Sequence, residues 1–130
     1  MGLFDKLFGG IAGGSSTVSS EKLDLIKREW EQIDILLQGG QPSQLRQALI
    51  AADKTLDTAL KDVVPGDKMA DRIRAARDTK FDPRMYDKVW KAHLMRNSLV
   101  HEAGYEPPHH MLKGGISDLR NALSKLGVQV

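Results

Sequence analysis

Apolar residues recur every three or four positions through four long segments of this chain, and nowhere do they alternate with period two over a useful length. Each set therefore falls on one face of a helix, and no half-buried strand is indicated. The first set is Leu23, Ile26, Trp30, Ile33 and Leu37, with Ser19 or Ser20 as its cap and Gly39-Gly40 as its stop. The second begins near Pro42, which suits a first helical turn, carries Leu45, Leu49, Ala52, Leu56, Leu60 and Val63, and ends at Pro65-Gly66. A short helix is predicted from about Asp67 to Arg77, with Met69 and Ile73 inward. Asp82-Pro83 opens the next, whose inward set is Tyr86, Val89, Trp90, Leu94 and Leu99 or Val100, before Gly104 offers a left-handed stop. The last starts near Pro107-Pro108 and uses Leu112, Ile116, Leu119, Leu123 and Leu126 before Gly127. The expected class is all-α, an antiparallel helical bundle of four longer helices plus one short helix. Trp30 and Trp90 both fall on apolar stripes and are expected in the core.

At 130 residues the chain supports one core, and 41% hydrophobic with 28% charged residues describes a soluble globular protein. The absence of cysteine excludes disulfides, thiolate zinc sites and a cysteine nucleophile, and fits a reducing cytosol. A cytoplasmic location is the expectation, since no apolar run approaches the ~20 residues of a membrane span and no secretory signal is apparent. Net charge is +2, but unevenly placed. Glu21 to Asp62 holds six Lys/Arg against eight Asp/Glu, whereas Asp67 to Arg96 holds nine against five. Capacity for binding anions therefore lies in the second half, unless those charges are simply a solvated face.

Residues 1–19 are distinct from the bundle expected over 20–130. Leu3, Phe4, Leu7, Phe8 and Ile11 share one helical face, and Gly9, Gly10, Gly13, Gly14, Ser15, Ser16 and Thr17 follow as a Gly/Ser linker. Such an amphipathic peptide either contacts a membrane peripherally, docks on a partner or folds back on its own bundle. Asp5 and Lys6 cancel, so membrane contact through residues 1–11 would rest on apolar burial.

The chemistry concentrates near the end of the penultimate helix, in Arg96-Asn97-Ser98-Leu99-Val100-His101. Cleaving RNA without a metal needs a group to take the 2′-hydroxyl proton, a group to protonate the leaving oxygen and a cation on the phosphorane. Histidine can serve in either proton transfer, and arginine can hold two phosphate oxygens at once. His101 falls in the last helical turn, where the dipole favours its protonated form and a role as acid. Asn97 is placed to orient Arg96 or a phosphate oxygen. Five residues at about 100° each put Arg96 and His101 roughly 140° apart, so they converge only if the helix unwinds or if two chains bring their motifs together. In the structural alternative, Arg96 pairs with Glu102 or Asp87 and His101 caps the helix. His93 shares part of a face with both and either joins an RNA-binding site or is a partly buried structural histidine. Tyr105, in the following loop, either stacks on a base or covers the core.

This ensemble resembles the HEPN superfamily, whose members carry an Arg, a polar residue and then a His four to six positions after the Arg. The resemblance spans roughly residues 20–127, with the specific signal confined to Arg96–His101. It implies a homodimer with Arg96, Asn97 and His101 at a shared cleft, acting as a metal-independent endoribonuclease or RNA-binding domain of the toxin or defence type, with an antitoxin or other protein partner. The alternative is a non-catalytic interaction module, dimerising or scaffolding, directed to a membrane or partner by its N-terminus.

Neither metal nor cofactor is expected. His109-His110 are adjacent and point apart on a helix, and there is no Gly-rich phosphate loop, GxSxG or HExxH. Gly114-Gly115 lies inside the last helix, where it marks either a kink or a close approach of another helix.

Overall fold

The structure is a computed structural model that describes residues 17–130. The reading of Leu3, Phe4, Leu7, Phe8 and Ile11 as a docking face lies outside the described residues. Among the described residues the protein is all-helical, with α1 Ser20–Gly39, α2 Pro42–Val63, α3 Met69–Ala76, α4 Pro83–His101 and α5 His109–Lys125.

Local chemistry fixes most boundaries. The Ser19 hydroxyl caps α1 by accepting from the Lys22 N–H, and Gly40 closes it in the left-handed conformation at φ 69°. Pro42 occupies the first turn of α2, where its missing N–H has no intrahelical acceptor to lose. Asp82 caps α4 by accepting from Met85 N–H at 2.8 Å. The short α3 is two residues shorter at its start than its sequence pattern suggests, and Lys80 and Phe81 N–H both bond the Ala76 carbonyl just past its end.

Packing builds outward from α2, which touches all four other helices. α1 runs antiparallel to it. Lys22 meets Asp62, Trp30 meets Thr55, and the two helices turn at Gly39 beside Gln44. Ile26, Trp30, Ile33, Leu45, Leu49, Leu56 and Leu60 fill that seam, and Leu112, Ile116, Leu119 and Leu123 close it from α5. Each such side chain contributes about 1.5–3 kcal/mol through removal from water. The indole Nε1–H of Trp30 donates to Thr55 Oγ1 at 3.0 Å, so the largest core side chain is also satisfied.

Two expectations for α4 are corrected. Leu94 is exposed at 47%, and the inward face instead holds Val89, Ala92 and His93; of Leu99 and Val100 it is Leu99 that is partly covered, while Val100 is exposed. The inward residues thus lie about 100–160° around the helix from Leu94, because α4 must face both α2 and α5. Trp90 lies on the core's rim rather than inside it. Its ring is stacked on Tyr86 at 6.1 Å and covered by the Arg74 guanidinium at 5.1 Å.

Gly115 resolves the question posed by the glycine pair. A Cβ there would stand 3.0 Å from Leu49 Cδ1 and 3.8 Å from both Ala92 Cβ and Met95 Cε. It is a place of close approach among α5, α2 and α4, while Gly114 faces open space. None of the described helices is long and apolar enough to cross a membrane.

Candidate functional site

The inward face of α4 carries a histidine where an aliphatic residue would ordinarily sit, and α2 meets it with an acid. Asp53 lies between Leu49 and Leu56 on the apolar face of α2 and is 2% exposed. His93 Nδ1 stands 3.2 Å from both of its carboxylate oxygens. One turn further along α4, Arg96 Nε is 3.8 Å from Asp53 Oδ2. Arg96 Nη1 also donates to Asn97 Oδ1 at 2.9 Å. The carboxylate thus gathers an imidazole and a guanidinium from one helix, and Asn97 holds the guanidinium from its other side.

The energetics of this cluster are those of a buried ion group. Burial pushes the Asp53 carboxyl above its ordinary pKa. The hydrogen bond and charge of His93 and the charge of Arg96 oppose that rise, and the charge of Asp57 adds to it. Asp57 is itself held by Arg72 from α3, through Nε at 2.7 Å and Nη2 at 3.0 Å, while Arg72 Nη1 donates to the Gly66 carbonyl. That paired geometry is the strong form of an arginine–carboxylate contact, and it fixes α3 against α2 beside the Asp53 cluster. α3 then lays Arg74 over Trp90 and Arg77 over Tyr86, at 5.1 and 5.2 Å from the ring centroids.

The motif residues are placed as follows. Arg96 and Asn97 join the Asp53 cluster, with the Arg96 side chain still 34% exposed. His101 is exposed at the end of α4. The helix does not unwind before it, since Glu102 N–H still bonds the Ser98 carbonyl at 2.9 Å. Arg96 and His101 therefore keep their roughly 140° separation, whereas Asn97 and His101 are four residues apart and share a face. Asp87 pairs with Lys91 rather than with Arg96. Tyr105 stands elsewhere. With Leu94, Met95, Ser98 and Met111 it lines a shallow groove between α4 and the start of α5, apart from His93 and Arg96.

Asp53 joins this candidate site although its sequence pattern does not single it out. Its signal was a lone acid within the stripe Leu45, Leu49, Ala52 and Leu56. His93 was legible only as a histidine that either joins a site or is buried, and here it is buried against that acid. Among the described residues no group of three His, Asp or Glu side chains is arranged to hold a metal ion. No family model matches the chain, and neither curated proteins nor solved structures gave a match.

Proposed function

We propose that this protein is a HEPN-like helical bundle that assembles as a homodimer and cleaves RNA without a metal. In this reading Arg96 holds the scissile phosphate, Asn97 orients Arg96, and His101 protonates the leaving oxygen. The observation that carries it is the state of Arg96. Its guanidinium donates to Asn97 and lies 3.8 Å from the Asp53 carboxylate, and a third of its side chain remains open to solvent. A fixed, permanent and accessible cation is what a phosphoryl group needs, because it costs little reorganisation when charge develops.

Within this reading the regular helix calls for assembly. With α4 regular through His101, one chain cannot aim Arg96 and His101 at the same atom, so the second chain supplies the missing member. Leu94, exposed two residues before the motif on α4, and Val100, exposed within it, offer apolar side chains for that contact. The test is incubation of purified protein with RNA in EDTA. Cleavage that persists in the wild type and disappears in Arg96→Ala and His101→Ala supports the reading, and intact RNA throughout sinks it.

The non-catalytic reading keeps the exposed Leu94 as its apolar contact. It requires a dimer, or capture of a protein partner, with no RNA cleavage.

A further inference from the structure

Metal-independent RNA cleavage needs a base as well as an acid, and the motif residues supply only the acid and the cation. The buried pair on α2 and α4 has the chemistry of the missing group. Asp53 is within 3.2 Å of His93 Nδ1 through both oxygens, and an ionised carboxylate can only accept, so opposite it Nδ1 carries the hydrogen. In the neutral ring Nε2 is then the lone-pair nitrogen. The ring's hydrogen bonds run through Nδ1, and among the described residues no enclosed side-chain nitrogen or oxygen lacks a partner. Nε2 therefore borders solvent, although His93 is only 7% exposed. Trp90 lies tilted against the imidazole at 6.4 Å between centroids. Arg96, the cation assigned to the phosphate, shares the same carboxylate.

We infer that His93 is the general base of the RNA cleavage reaction, with Asp53 as its positioning residue, a role that rests on the nuclease reading above. The 2′-hydroxyl of the substrate gives its proton to His93 Nε2 as the bond between O2′ and phosphorus forms. The bond from phosphorus to O5′ breaks, and O5′ takes a proton from His101. The products are a 2′,3′-cyclic phosphate and a 5′-hydroxyl end, with no other reactant. Eight residues separate His93 from His101, a rise of about 12 Å along α4. Two groups serving the opposite oxygens of one phosphorus must each come within about 3 Å of their own oxygen. The acid is accordingly His101 of the second chain, and the base and cation belong to the first.

The experiment compares wild type, His93→Gln and His101→Ala on two RNA oligonucleotides in EDTA, one natural and one with sulfur replacing the bridging O5′. A thiolate leaves without needing a proton. His101→Ala should lose about a hundredfold in kcat/KM on natural RNA and recover most of it on the sulfur-linked strand. His93→Gln should lose about as much on natural RNA and recover none of it on the sulfur-linked strand. Recovery by His93→Gln, or a wild-type rate in it, overturns the base role while leaving the nuclease reading intact. A wild type that cleaves neither strand overturns both.

Because His93→Gln also removes the partner of Asp53, the intact protein gives a second readout. Nitrogen-15 NMR of the neutral ring should show Nδ1 protonated and Nε2 bare, with the Nε2 resonance moving when a 2′-O-methyl oligonucleotide binds. Asp53→Asn should lose the single-tautomer signature. A wild-type ring protonated at Nε2, or one unmoved by the bound strand, overturns the inference.

Discussion

His93 Nδ1 lies 3.2 Å from each carboxylate oxygen of Asp53, joining α4 to α2 across forty positions of sequence. The contact sits where both helices otherwise present aliphatic side chains, so each partner is committed to the other. Removing one partner from a buried pair is far more costly than never having built it. His93→Leu should therefore destabilise the protein by about 3 kcal/mol, and Asp53→Leu/His93→Leu should recover more than half of that loss. Urea unfolding of the two single variants and the double variant measures the coupling. Strictly additive losses would show that the pair contributes no interaction of its own.

The glycine pair in α5 separates helix propensity from space. Gly114→Ala meets nothing within 4 Å and should gain up to about 1 kcal/mol from the better helix former. At Gly115 the same change places a methyl 3.0 Å from Leu49 Cδ1 in the buried core, and the strain should cancel the gain or exceed it. Thermal unfolding midpoints that rise equally in both variants would contradict this.

Thr55 both accepts from Trp30 Nε1–H and donates to the Ala52 carbonyl at 2.7 Å. Valine matches its shape but leaves the indole N–H without an acceptor. Thr55→Val should cost about 1–3 kcal/mol, whereas Trp30→Phe/Thr55→Val should cost less than the sum of its parts. Chemical denaturation followed by far-UV circular dichroism reads both.

Asp62 provides the pH-dependent prediction. Burial pushes its carboxyl up, but the hydrogen bonds from Lys22 and Ser19 outweigh burial and hold its pKa below the ordinary value. A depressed carboxylate contributes stability above its unfolded pKa, near 3.9, and loses it as pH falls through the lower folded value. The Asp62 side chain is 20% exposed and that of Lys22 32%, so solvent screens the pair. Asp62→Asn should cost about 0.5–1 kcal/mol near pH 7, with the gap to wild type closing below about pH 4. A gap unchanged at pH 3 would remove the electrostatic explanation.

Leu94 tests assembly without touching the Asp53 cluster. It is 47% exposed on α4, so Leu94→Glu should leave the unfolding free energy of the single folded chain within about 0.5 kcal/mol of wild type, any further loss being that of the dimer contact. The same change should shift sedimentation equilibrium from dimer toward monomer and lower RNA cleavage in proportion. A wild type that sediments as a monomer would remove the shared cleft, and the nuclease reading with it.

The sequence by itself determined the helices, because their causes are local. Period-3.6 apolar stripes, a Ser19 or Asp82 cap, Pro42 in a first turn and Gly40 past an end each act within one or two turns of chain. It also determined that Arg96 and His101 diverge, since that angle belongs to the helix alone. Tertiary structure decided which residue of α4 turns inward. The apolar stripe alone puts Leu94 inside, but α4 lies against both α2 and α5, and their shared boundary selects Ala92 and His93. It also decided the meaning of Asp53, which in sequence is one acid on an apolar face. Only the register of α2 against α4 brings a histidine and an arginine to it, and no local interaction encodes that register.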